Sequence, residues 1–153
     1  MNFCTILYPK RKEKGRKSPM EEVNSCKIAI ENCQNTKTFA VAHLYKEEKA
    51  MDMHIHDCYE LYYSISGGKQ FLIDNRFYSI SPGDLFIINK YESKKLTQID
   101  NQLHERIVLS FHPDYTKRLS TADTDLDACF SCRSVGFQHK LSLSREQQKR
   151  FLY

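Results

Sequence analysis

Two histidines one residue apart, with a carboxylate four residues further on, stand in the run His54-Ile55-His56-Asp57-Cys58-Tyr59-Glu60. On a β-strand, side chains two apart share a face. His54 and His56 then point the same way, and Glu60 has the same parity if the strand stays regular. Two imidazoles and a carboxylate on one side can form a facial triad for a divalent metal such as Fe, Mn or Zn. The same groups can line a pocket that hydrogen-bonds a small polar ligand. A third reading is a polar cluster that belongs to the strand geometry and does no chemistry. Tyr62 and Ser64 share the parity of Glu60 and could add hydroxyls to that face, although an inward tyrosine is as often packing with a satisfied hydroxyl.

The elements that must position these groups read as strands. Residues 38–45 are β-branched and aromatic enough for one, and residues 47–52 form a charged connection. Residues 60–66 form the next, ended by Gly67-Gly68, which supply the positive φ of a tight turn. Residues 70–74 and 76–80 flank Asn75 as a hairpin, and Ser81-Pro82-Gly83-Asp84 is a turn. The apolar run Leu85-Phe86-Ile87-Ile88 suits a strand buried on both faces. Residues 96–99 and 106–111 are two more. Short strands at near-regular spacing indicate a mainly β domain, a sandwich or small barrel.

Helix signals come late. Residues 113–119 open at Pro113, and Ser144-Arg145-Glu146-Gln147 is a capping-box pattern introducing residues 148–153. So short a helix is marginal alone and is expected to need further residues or a partner. The chain is therefore expected to be a truncated piece.

A length of 153 residues fits one domain with one core. Residues 1–19 carry six basic side chains against Glu13, leaving a net charge of −1 on the remainder of a chain whose total is +4. A near-neutral body argues against nucleic-acid binding by this domain, and the basic head (residues 1–25) is expected to be a solvated arm. No stretch is apolar enough to span a membrane as a helix, the N-terminal charges fall in the wrong order for a secretory signal, and six cysteines without such a signal suggest free thiols and a cytoplasmic setting.

Other chemistry-bearing groups are weaker. Cys129-Phe130-Ser131-Cys132 is a CxxC, but a zinc site needs two more ligands. His112 and His139 are the nearest in sequence, and neither sits in a second paired motif. Two cysteines in a segment after the barrel, with Phe130 packed inward, is the expected arrangement. Cys58 reads as a buried thiol. Arg106 could take an anionic ligand bidentately if it faced inward, but is expected at a strand end in solvent.

The HxHxxxE arrangement followed by Gly67 resembles the first motif of the cupin superfamily. His54-x-His56, Tyr59-Glu60-Leu61-Tyr62-Tyr63, Ser66-Gly67, the hairpin through Asp74-Asn75 and Ser81-Pro82-Gly83-Asp84-Leu85-Phe86 together resemble the N-terminal sensor domain of AraC-type transcription regulators. The strand ending Phe111-His112-Pro113 and the later His139-Lys140-Leu141-Ser142-Leu143-Ser144 also resemble those domains. The likeness covers about residues 38–150. It implies a small cupin or jelly-roll barrel over residues 26–143 that binds an effector. It also implies a helical dimerisation region starting at residues 144–153, and a helix-turn-helix DNA-binding part outside this chain.

In the second cupin motif a histidine usually supplies the last metal ligand, and that place falls here on Lys94. A protonated lysine donates hydrogen bonds and cannot ligate a cation, and it could pair with Glu60. Lys95 would face the other way. The resemblance thus implies a non-enzymatic sensor of a small polar metabolite, for instance a sugar, with no cofactor. Its ligand-binding candidates are His54, His56, Glu60, Tyr62 and Lys94, and its partners are the effector and a second copy, with DNA reached only through the helix-turn-helix part. The rivals are a metal-dependent cupin isomerase or dioxygenase using His54, His56 and Glu60, and a ligand-free docking barrel.

Overall fold

A computed structural model describes residues 26–47, 52–68, 70–97 and 103–153. The expected basic arm lies outside the described residues, as do much of the 47–52 connection and the end of the strand expected at 96–99. The elements run α1 (Cys26–Thr36), β1 (Phe39–Glu47), β2 (Tyr59–Ser64), β3 (Gln70–Ile73), β4 (Arg76–Ser79), β5 (Asp84–Ile88), β6 (Lys94–Thr97), β7 (Leu103–Phe111), α2 (Pro113–Leu119), α3 (Ala128–Ser131), β8 (Lys140–Ser142) and α4 (Arg145–Leu152).

The strands form two antiparallel sheets, one in the order β1-β7-β2-β5-β8 and the other β4-β3-β6. Their inner faces enclose one core, the arrangement of a small jelly-roll barrel. Alternation selects what points inward. On β7, His104, Arg106, Val108 and Ser110 are buried while the residues between them are partly exposed. On β2, Glu60, Tyr62 and Ser64 face in. Tyr62 lies opposite Phe86 on one side and Val108 on the other. Phe86, fully buried, meets Tyr62, Phe71 and Tyr78 edge-on with ring centroids 5.2–5.9 Å apart. Such edge-to-face contacts add roughly 0.5–1.5 kcal/mol per pair to the area buried.

The turns follow their residues. Asp74 takes φ +48°, a left-handed value that aspartate tolerates, and closes the β3–β4 hairpin. In Ser81-Pro82-Gly83-Asp84 the Asp84 amide donates to the Ser81 carbonyl at 3.1 Å, with Gly83 at φ +87°. Proline second and a positive-φ glycine third are the requirements of a type II turn. At Gly67 (φ +80°) a Cβ would lie 2.9 Å from the Pro82 ring, so the two turns pack together.

Two helices, α1 and the short α3, are not among the expected elements. Helix α1 occupies residues assigned to the barrel, and covers it with Ala29, Ile30 and Cys33. Helix α4 forms with its full capping box, Ser144 accepting from the Gln147 amide and the Gln147 side chain accepting from the Ser144 amide. It finds its partner on the barrel: Phe151 packs on Tyr63 at 4.8 Å, and Gln148 lies against Gly83. Helix α2 spans the expected residues, opening at His112, whose ring accepts from the Asp114 amide.

Phe86→Ala is expected to cost about 3–5 kcal/mol, because it opens a cavity among three rings. Phe77→Ala, at a side chain 61% exposed, should change stability by no more than ~0.5 kcal/mol. Urea unfolding of both variants checks the contrast, and similar losses would mean that Phe86 is not central to the core.

Candidate functional site

The segment carrying the two histidines is not a continuation of β2. His54 pairs with Lys94 through two backbone bonds, His54 N–H to the Lys94 carbonyl at 3.1 Å and Lys94 N–H to the His54 carbonyl at 3.0 Å. That pairing joins it to the three-stranded sheet, whereas Tyr59 onward belongs to the five-stranded one. The chain bends at Asp57-Cys58 to change sheets. Cys58, 1% exposed, is drawn inward against Ile30 and Cys33 of α1, which holds the bend. Cys58 is thus the buried thiol expected, and its hydrogen bond to Cys33 together with burial pushes its pKa up.

The bend breaks the parity argument but still gathers the side chains. His56 Nε2 lies 3.9 Å from Glu60 Oε2, and the His54 and His56 rings are 4.9 Å apart. Glu60 Oε2 also meets Lys94 Nζ at 3.0 Å, with both side chains almost fully buried. Lys94 points inward between Ser93 and Lys95, and Lys95 is turned to the other face. Ser110, opposite Glu60 on β7, is buried too.

Burial pulls the His56 pKa down to about 4, helped by the Lys94 charge and by His54, with Glu60 opposing. The imidazole is therefore neutral near pH 7, able to donate from one nitrogen and accept at the other. His54 is fixed differently, with Nδ1 3.0 Å from the Asp52 carbonyl. Both histidines are half-buried, above the Glu60–Lys94 pair. The result is a polar cluster at the mouth end of the barrel, two half-buried imidazoles beside a buried charge pair.

This arrangement suits hydrogen bonding to a polar molecule better than a cation. Lys94 already neutralises Glu60, and a metal there would sit against a buried ammonium. Among the described residues, the cluster whose ligand atoms all lie within 4.8 Å of one another is Asp74, Glu92 and His139, not His54, His56 and Glu60.

Tyr62 is buried deeper, among Phe71 and Phe86, and its hydroxyl bonds His104 Nε2. It stands in the packed interior below the mouth. Arg106 corrects the sequence expectation: it is 3% exposed and opposite Ser64 inside the barrel, because the β7 alternation fixes its face. Phe130 packs inward as expected, stacked on Tyr59 at 4.5 Å, and leaves Cys129 and Cys132 exposed. His139 joins neither cysteine; it meets Glu92 at 3.2 Å and the Tyr78 hydroxyl at 2.8 Å. Asp74 and Glu92 carry no local spacing that would have marked them in the sequence.

A family model matches most of the chain. The model of the AraC-like ligand binding domain matches residues 38–149. Similar solved structures include an oxalate decarboxylase of Bacillus subtilis, 14% identical with a TM-score of 0.45, covering 59% of this chain and 25% of that one. A cupin protein from Bacteroides fragilis is 17% identical with a TM-score of 0.40, over 48% of this chain and 64% of its own. The Clostridium difficile EutQ protein is 19% identical with a TM-score of 0.42, over 54% and 64%. This chain thus spans less than two thirds of each of these three structures. A search of curated proteins finds no match.

Two measurements check the electrostatics of the mouth. Lys94→Met strands a buried carboxylate and is expected to cost about 3–5 kcal/mol, while the double variant Glu60→Gln/Lys94→Met should recover most of that loss. Urea titration that shows simple additivity would mean the two side chains are not coupled. For His56, the folded pKa of about 4 lies below the ordinary 6.5, so the unfolded chain binds the proton first as pH falls. Its stabilising effect is complete above pH 6.5 and is lost progressively down to about 4. The stability of His56→Gln should fall less over that window, and parallel pH curves for the two proteins would contradict the assignment.

Proposed function

The chain belongs to the AraC-like ligand binding domain family, and on that premise we propose that it is the effector-sensing part of a transcription regulator, with no catalysis of its own. The observation that carries this reading is the mouth built on the Glu60–Lys94 pair. A neutral His56, the half-buried His54 and the buried charge pair offer donors and acceptors at fixed places, and the carboxylate is already paired with an ammonium. Fixed polar groups of this kind select small polar molecules with several hydroxyl or carbonyl groups. A sugar or similar polar metabolite is the class that fits.

Occupancy would act on what leaves the barrel. Helix α4 rests on Tyr63 and Gly83, residues of β2 and of the turn before β5. A compound that binds one placement of these elements more tightly shifts the equilibrium by that difference in affinity alone. In the parent protein the shifted element would be a dimerisation helix and the output a change at DNA, both in the cytoplasm.

The test is a thermal-shift screen of sugars and other polar metabolites against the chain. At about 100 times its dissociation constant a cognate compound contributes ~2.7 kcal/mol, which raises the melting temperature of a domain this size by roughly 5–10 °C. His56→Gln should reduce the affinity at least tenfold and shrink the shift. A screen without hits at millimolar concentration, or a hit indifferent to both His56→Gln and Glu60→Gln, would defeat this reading. Stoichiometric Fe, Mn or Zn that is lost in His56→Gln would favour the metal-dependent enzyme instead.

A further inference from the structure

Away from the mouth, three connections meet around a second polar cluster. Asp74 closes the β3–β4 hairpin, Glu92 lies between β5 and β6, and His139 immediately precedes β8. Each offers one ligand atom, and all three atoms lie within 4.8 Å of one another. We propose that Asp74, Glu92 and His139 form a binding site for a divalent transition-metal ion of the zinc type.

The strongest sign is the state of His139. The residue is 95% buried, since only 5% of its surface is exposed. Its Nδ1 is engaged by the Tyr78 hydroxyl at 2.8 Å, which fixes the ring. Its Nε2 is buried and makes no hydrogen bond of acceptable geometry, although Glu92 Oε1 is 3.2 Å away. A proton on Nδ1, donated to the Tyr78 oxygen, leaves the Nε2 lone pair aimed at the two carboxylates. A metal-binding histidine characteristically has its second nitrogen held in this way.

The carboxylates are also held from behind. Glu92 Oε2 accepts from the Asn89 amide at 2.7 Å and from Arg133 Nη2 at 3.2 Å, which leaves Oε1 towards His139. Asp74 Oδ1 accepts from the Ser93 amide at 3.0 Å and the Ser93 hydroxyl at 3.3 Å. Asp74, Glu92 and Arg133 together carry a net charge of −1, which favours a cation. One nitrogen and two oxygens suit zinc and its first-row neighbours, whereas calcium and magnesium prefer oxygen alone. Tetrahedral zinc needs ligand atoms roughly 3.4 Å apart, so the His139–Glu92 edge is already close and Asp74 must draw in.

Asp74 is exposed, so a fourth position would open to solvent. Occupied, the site would fasten the segment leading into β8 and α4 to the β3–β4 hairpin. This assignment is independent of the effector in the barrel.

Chelator-treated protein titrated with zinc ion, by calorimetry and by thermal unfolding, tests it. One ion per chain and a raised melting temperature are expected. Asp74→Asn is the sharpest variant: asparagine also tolerates φ +48° and keeps an oxygen for Ser93, yet removes the charge. It and Glu92→Gln should weaken binding at least tenfold, with the metal-free melting temperature little changed for Asp74→Asn. His56→Gln, and Ser in place of the exposed thiols Cys129 and Cys132, should leave binding intact. Binding that survives Asp74→Asn and Glu92→Gln overturns the proposal. So does an equal loss in His56→Gln or in the cysteine variant, or the absence of saturable binding below millimolar zinc.

Discussion

A carboxylate on one sheet and an ammonium on the other face each other across the inside of this barrel. Glu60 belongs to β2 and Lys94 to β6, and the two heads are 3.0 Å apart with almost no solvent on either. Each charge alone would be costly to bury, so each obliges the other element to stay in place. The sheets thus meet at a defined distance at this end, where apolar side chains would allow more slack. Burial and the Lys94 charge lower the proton affinity of His56 against the pull of Glu60, and the pairing occupies the carboxylate that a cation would otherwise take. The sheet spacing at this end follows from it.

Below the pair, the interior changes character. Phe86 and its neighbouring rings fill the middle, and the polar groups reappear further down as Ser64, Arg106, His104 and the Tyr62 hydroxyl. The β7 alternation produces both ends: Ser110 beside the Glu60 layer, then Val108 against the rings, then Arg106 and His104. The His54, His56, Glu60 and Lys94 cluster is thereby confined to one end, with a layer of aromatic rings beneath it. Tyr62, which shares the parity of Glu60, is itself part of that ring layer.

Most of the sheet was legible because strands announce themselves by alternation and their turns by Pro, Gly and Asp. The Lys94–Glu60 contact was legible as well, once the position of Lys94 was compared with the histidine of the cupin pattern. The bend at Asp57-Cys58 was not, since neither residue is a breaker; it depends on Cys58 reaching Cys33 of a helix far away in sequence. Helix α1 left a signal in Cys26, Ala29, Ile30 and Cys33, spaced for one helical face, that the charged and polar residues between them diluted. Arg106 runs against the general tendency of charged residues to stay exposed, because the local period of two on β7 turns it inward. The Asp74, Glu92 and His139 cluster has no linear signature, because three separate turns deliver its members.

The ladder between β1 and β7 has a consequence for how the chain reaches this state. Phe39 lies opposite Phe111 and Glu47 opposite Leu103, so every rung encloses all the strands from β2 to β6. Such a ladder carries a large loop-closure entropy until the intervening strands have collapsed, which makes β1 a late arrival. Until then β7 presents one unpaired edge, with Val108 and Phe111 among its residues. The domain is accordingly slow to fold for its size, and vulnerable to self-association during synthesis for as long as that edge is open.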